Sequence, residues 1–384
     1  MDASLDGTSA LNAPKVGFAA RAAVLSEANG QFSIEDVILE TPRDDEILVK
    51  IVGAGICHTD VVCKGAFPVP LPIVLGHEGA GVVESVGARV TKVKPGDHVV
   101  LTFNSCGGCP NCLDSNPAYC HSFLPMNFAG IRVSDGSSPI SKDGNRIHGV
   151  FFGQSSFATY AITREENTVL VPKSAPLEIL GPLGCGIQTG AGAILNSLKV
   201  RKGNSVAIFG AGAVGLSAVM AAKVVEAKTI IVVEPNSERR QLALELGASA
   251  AIDPAGETDL VQAIKDIASG GVNYALDTSG HPAVIGAAVE TLLQNGLLGL
   301  VGMPPPDAML PVNIMSMFAR GVGIKGIIEG DSEPHEFIPR LVQYHLEGRF
   351  PFDRLITRFP FDKINEAFDA TVSGKVIKPL LINQ

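Results

Sequence analysis

One glycine-rich turn limits the fold of this chain more than any other feature. Gly210-Ala-Gly212-Ala-Val-Gly215 follows an apolar run, Ser205–Phe209, and opens a helix-compatible stretch over 216–225. A second apolar run, Thr229–Val233, ends against Glu234. In this context each glycine has a physical task. Gly210 permits a tight turn, Gly212 lets the backbone approach a pyrophosphate, and Gly215 lets the helix lie close on the strand. The helix N-terminus favours anionic phosphate oxygens. Glu234 stands where an acid hydrogen-bonds ribose hydroxyls, and its charge repels a 2′-phosphate, so NAD(H) is expected over NADP(H). Arg239 and Arg240 bring positive charge to the same place and pull the other way. The bland alternative is a glycine-rich turn that holds no ligand.

Further strands are expected at 274–277 and 299–302 and a further helix at 238–246. Strands alternating with helices imply a parallel sheet covered on both faces. The flanking sequence has a different texture. Residues 20–52, 79–87 and 97–101 show short apolar alternations broken by Gly and Pro, the mark of a β-rich region. The polar stretch 123–149 reads as an extended surface loop, 184–198 as helical, and 376–382 as a final strand. The αβ unit therefore looks inserted into the β-rich one. The expected division is a loose tail at 1–17, one domain from 18–186 with 329–384, and a second from 187–328.

With 384 residues the chain is long for a single core, which agrees with two domains. A formal charge of −9 gives no reason to bind nucleic acid or an anionic membrane. There is no apolar stretch of bilayer-spanning length, and the N-terminus does not read as a secretory signal, so a cytoplasmic location is expected.

Of 7 cysteines, Cys106, Cys109, Cys112 and Cys120 crowd into one segment, with Gly107, Gly108, Pro110 and Asn111 between them. Such loop residues let a short segment curl until four sulfurs converge tetrahedrally, and four thiolates on zinc leave no open position, which makes the site structural. An iron–sulfur cluster also uses closely spaced cysteines, and free or disulfide-paired thiols are the plain alternative. Two more segments stand apart: Gly55-Ile-Cys57-His58-Thr59-Asp60, and Gly76-His77-Glu78-Gly79-Ala80-Gly81. Taken singly, Cys57 is a small core residue and His77 a hydrogen-bonded filler.

Taken in order, the Gly-His-Glu segment, the four-cysteine loop and the glycine fingerprint resemble the zinc-containing medium-chain alcohol dehydrogenases. The resemblance runs from about residue 20 to the C-terminus. It implies an α/β protein: a β-rich GroES-like catalytic domain with an inserted Rossmann domain of doubly wound parallel sheet. It implies two zinc ions per subunit, one held by Cys57, His77 and Cys185, the other by the four clustered cysteines. Asp60 would then orient His77, Glu78 would lie behind the zinc, and Thr59 would bond the substrate oxygen. His58 and Lys378 match positions at the coenzyme pyrophosphate, and Thr189 and Val214 match positions at the nicotinamide. In this family a histidine five positions after the first zinc-ligand cysteine relays the proton; here it is Val62, and His58 is the available stand-in. Cys63 reads as packing.

The expected activity is interconversion of a primary alcohol and its aldehyde by hydride transfer to or from NAD(H). The long segment 123–157 resembles the branch acting on aromatic or allylic alcohols. Thr102, Phe151, Met303 and Ile328 are the expected apolar pocket. The expected partners are a small-molecule alcohol or aldehyde and further copies of the chain, as a homodimer or homotetramer, with 299–302 as the seam. The rival readings are a polyol or conjugated-aldehyde dehydrogenase, a non-catalytic NAD-binding relative, and a zinc-free reductase of the same superfamily.

Overall fold

The computed structural model describes residues 17–65 and 67–383. Of the tail expected at 1–17, residues 1–16 lie outside them, and Gly17 instead begins a strand, Gly17–Leu25. Three sheets organise the chain. Six strands form an all-parallel sheet in the order Ala250–Ile252, Thr229–Val233, Ser205–Phe209, Val272–Asp277, Leu292–Leu300, Gly323–Gly326. Numbered along the chain, that order is 3-2-1-4-5-6, with the reversal falling beside the first strand. The two strands expected at its centre are buried nearly throughout, as continuous Val/Ile runs covered by helices on both faces must be. Helix Ala213–Val224 starts three residues earlier than its apolar pattern suggests, because Gly212 already turns the chain. Asn236 caps helix Ser237–Leu246 by accepting the Arg239 amide at 3.0 Å.

The other two sheets make up the β-rich part. In one, Glu46–Gly55 lies between Glu78–Val86 and the final strand Lys378–Ile382, with Leu380 opposite Gly55. The chain thus leaves this sheet, builds the parallel sheet, and returns to pair beside its starting strand. The other sheet runs Ile73–Val74, Gly17–Leu25, Ser33–Glu40, Ile140–Lys142, Asn145–Ile147.

One expectation fails here. The stretch 123–149 is no extended surface loop: it contains helix Phe123–Phe128 and a hairpin that extends the first sheet. Two of its polar residues, Asn127 and Arg132, are buried and satisfied there. Buried Arg132 is clamped by Glu46 at 2.5 Å and Glu40 at 2.9 Å, and Asn127 bonds the backbone of Asn104 and Phe123. Leu292–Leu300, which runs into the seam expected at 299–302, has a partner on each side, and the edges of the parallel sheet are Ala250–Ile252 and Gly323–Gly326. The domain boundary expected at 186/187 falls one residue into helix Gly186–Gly192. Among the described residues, no helix is long and apolar enough to cross a membrane.

Candidate active site

Cys57, His77 and Cys185 come from three distant parts of the chain and meet in one cleft. Cys57 precedes helix His58–Gly65, His77 precedes strand Glu78–Val86, and Cys185 caps helix Gly186–Gly192. Gly76, at φ +91°, turns His77 inward with the Phe157 backbone pressed against it, a place no side chain tolerates. The Cys57 and Cys185 sulfurs are 3.9 Å apart, and one donor atom each from Cys57, His77, Glu78 and Cys185 lies within 4.8 Å of the others. The His77 Nδ1 lies 3.0 Å from Asp60, while its Nε2 is buried with no partner. An orphaned imidazole nitrogen aimed at two thiols fits a zinc ion.

Asp60 does more than orient the ring. Its Oδ2 accepts the Cys57 amide at 2.9 Å and its Oδ1 accepts the Gly76 amide at 3.1 Å, tying both ligand loops to one buried carboxylate. On the other side the Phe152 ring stacks on His77 at 4.5 Å, and Phe151 meets it edge-on at 5.7 Å. Gln154 donates to the His77 carbonyl at 3.0 Å and accepts the Gly79 amide. Motif reading had not found these supports. Phe151 and Thr102, expected to line the pocket, are instead fully buried, and Thr102 donates to the Gly184 carbonyl at 2.6 Å. Met303 and Ile328 are exposed, and Cys63 is in the core.

Glu78 stands behind the donor set, where burial pushes its carboxyl up to about 7 against the pull of Lys378. The Lys378 ammonium is buried 2.8 and 2.9 Å from the two Glu78 oxygens, a pairing absent from the sequence reading. The second oversight is Glu329. This buried carboxylate lies 3.5 Å from the Cys185 sulfur and accepts from Gln188 at 3.3 Å and Thr189 at 3.4 Å. Burial raises it to about 7. No motif marks it, since it is 144 residues from Cys185. Thr59 Oγ1 is 3.9 Å from the Cys57 sulfur, and His58 is exposed at the start of its helix.

The four clustered cysteines also converge within 4.8 Å. Backbone amides point at the sulfurs, Cys106 N–H to Cys120 and Cys109 N–H to Cys106, each at 3.3 Å. Amides of His121 and then Cys112 pull the Cys109 thiol down to about 6. Donors of this kind favour thiolate, and four thiolates suit zinc.

The glycine turn is equally explicit. Gly210 has φ +104°, Gly215 backs directly onto the Gly210 carbonyl, and the space a Gly212 side chain would take is empty. That gap at an uncapped helix start suits a pyrophosphate. Glu234 closes the turn by accepting the Ala211 amide at 2.7 Å and the Asn236 amide at 2.9 Å. Both arginines are engaged: Arg239 donates to the Gly374 carbonyl at 3.1 Å, and Arg240 pairs with Asp253 at 3.0 Å and donates to the Glu234 carbonyl at 2.7 Å. Val214 lies in the first turn of the helix.

Residues 43–173 match the alcohol dehydrogenase GroES-like domain, and residues 213–343 match the zinc-binding dehydrogenase family. The chain belongs to the zinc-containing medium-chain alcohol dehydrogenases. It is 53% identical to a geraniol dehydrogenase of Castellaniella defragrans over 94% of this chain and 97% of that one. Its fold matches a crystal structure of benzyl alcohol dehydrogenase from Acinetobacter calcoaceticus with TM-score 0.92 at 43% identity, covering 96% and 100% of the two chains. A zinc-binding-domain alcohol dehydrogenase from Burkholderia ambifaria matches with TM-score 0.93 at 50% identity, covering 96% and 99%. The protein is an alcohol dehydrogenase, and its family uses zinc and a nicotinamide cofactor.

Proposed function

We propose that the protein interconverts primary allylic or aromatic alcohols and their aldehydes with NAD(H). The carrying observation is the meeting of Cys57, His77 and Cys185 donor atoms within 4.8 Å, with Nε2 of His77 unpartnered and Cys185 opening the helix whose Gly190 packs on Val214 of the glycine-turn helix. The substrate class rests on the geraniol and benzyl alcohol dehydrogenases it resembles. The Glu234 carboxylate supports NAD(H) over NADP(H), as do the partners that Arg239 and Arg240 already have in Gly374 and Asp253.

Cys57, His77 and Cys185 would hold one zinc and the four clustered cysteines a second. Zinc at the first set would supply Lewis acidity toward an alcohol oxygen, and a bound nicotinamide would supply the hydride acceptor. Asp60 fixes the His77 tautomer, and Glu78 with Lys378 backs the donor set. Thr59 takes the hydroxyl proton toward solvent by way of His58, since Val62 cannot relay it. His58 and Lys378 lie on the pyrophosphate side, Thr189 and Val214 on the nicotinamide side. Gly210, Gly212 and Gly215 cradle the phosphates, Glu234 holds the ribose, and Arg239 flanks it.

The protein works as a homodimer or homotetramer. The open edge Gly323–Gly326 supports this, as does helix Ile314–Arg320, whose Ile314 and Phe318 are 80% and 81% exposed. Reduced clustered thiols suit the cytoplasm.

The test is turnover of purified protein with geraniol and benzyl alcohol, with NAD⁺ and NADP⁺ in parallel and elemental analysis alongside. About two zinc ions per chain and NAD⁺-linked oxidation are expected. A single zinc, or activity confined to a polyol, refutes the reading.

A further inference from the structure

We infer that Tyr119 is a positioning residue for the active-site cleft, joining the four-cysteine loop to the wall that carries Glu329 and Cys185. This rests on the function proposed above. Tyr119 sits in the turn Pro117–Tyr119, immediately before Cys120. Its hydroxyl reaches across 212 residues of chain to Asp331 Oδ1, the nearer acceptor of its proton at 2.6 Å, with the Gly326 carbonyl at 3.2 Å, and it accepts the Ile328 amide at 3.4 Å. The second Asp331 oxygen is held by Lys325 at 2.5 Å. Tyr119 therefore grips both ends of the segment 328–331.

That segment needs a grip. Glu329, Gly330 and Asp331 have φ values of +49°, +66° and +48°, three left-handed residues in a row, and two of them carry side chains that disfavour the conformation. Such a turn persists only where its surroundings hold it. On the inner side it lies against helix Gly186–Gly192, where a side chain at Gly192 would strike the Gly330 carbonyl. Asn196 donates to that same carbonyl at 3.1 Å. Glu329, at the first position of the turn, meets Cys185, Gln188 and Thr189. On the outer side Lys325 holds Asp331, and Tyr119 holds Asp331, Ile328 and Gly326. Removing the phenol oxygen frees the Ile328 amide and one Asp331 oxygen together, and the released turn carries Glu329 away from the Cys185 helix.

Tyr119→Phe keeps the ring and deletes only the hydroxyl; Asp331→Ala removes its acceptor. Each variant, and the double variant, would be tested for alcohol turnover, melting temperature, hydrogen exchange at 326–331, and metal release to a chromophoric chelator. The release phase missing from Cys57→Ser identifies the cleft metal. Each single variant should lower kcat about tenfold, in the range usual for groups that orient metal ligands. KM for NAD⁺ should hold, exchange at 326–331 should quicken, and the cleft metal should leave faster. The double variant should be no worse than the worse single one. Unchanged turnover with unchanged exchange, or additive losses, overturns the inference, as does loss of melting temperature without a change in kcat. An inactive parent protein instead removes the functional reading, while exchange and metal release still report on the clasp.

Discussion

The imidazole of His77 and the carboxylate of Asp60 form a buried pair 3.0 Å apart, and the pairing leaves His77 Nε2 free toward Cys57 and Cys185. A carboxylate on one ring nitrogen fixes the tautomer and raises the basicity of the other. Because the same carboxylate accepts the amides of Cys57 and Gly76, one side chain positions two loops that are far apart in sequence.

Asp60→Asn should therefore weaken the cleft metal specifically. The expected loss in affinity is about 10- to 100-fold. Dialysis against a graded chelator series followed by elemental analysis would read it. The variant should keep the metal of the four-cysteine loop and lose the other; equal retention of both would mean that Asp60 does not orient a ligand.

Lys378 and Glu78 are both buried, with side chains 3% and 0% exposed. Lys378→Met leaves a buried carboxylate without its partner, which costs about 3–5 kcal/mol. Lys378→Met with Glu78→Gln removes both charges and should recover most of that loss. Denaturant midpoints of the four proteins test the pairing, and a double variant as unstable as the single one would refute it.

Glu234→Ala removes the acid at the end of the second parallel strand. If that carboxylate holds the ribose, KM for NAD⁺ should rise at least about tenfold, since a hydrogen bond to a charged group contributes about 1.5–3 kcal/mol. The NADP⁺ value should improve or hold, because the repulsion is gone. An unchanged ratio of the two would place ribose recognition elsewhere.

His335, near the start of helix Pro334–Leu346, is half-buried, and desolvation followed by the charge of Lys92 lowers its affinity for protons. The folded chain protonates it less readily than the unfolded chain, which does so near 6.5. Its folded value lies below its unfolded one, so its contribution is complete above that pH and drains away as pH falls. His335→Gln should flatten the decline in melting temperature between about pH 7 and 5. A decline as steep as in the parent protein would clear His335 of the effect.

Local chemistry made much of this protein readable from its residues alone. The glycine fingerprint, the apolar strands beside it, the four-cysteine spacing and the Gly-His-Glu segment each depend on neighbours within a few positions. A backbone turn or a curled loop imposes its residue types there and nowhere else. Tertiary structure decided the rest. Glu329 stands against Cys185, Lys378 against Glu78, and Tyr119 against Asp331, all through contacts spanning 144 to 300 residues that leave no periodic trace. The polar stretch 123–149 misled for the same reason, since Arg132 looks like a surface residue until Glu40 and Glu46 fold around it. Which strand forms the edge of the parallel sheet was likewise invisible, because pairing order is set by how the helices cover the sheet and not by the composition of any one strand.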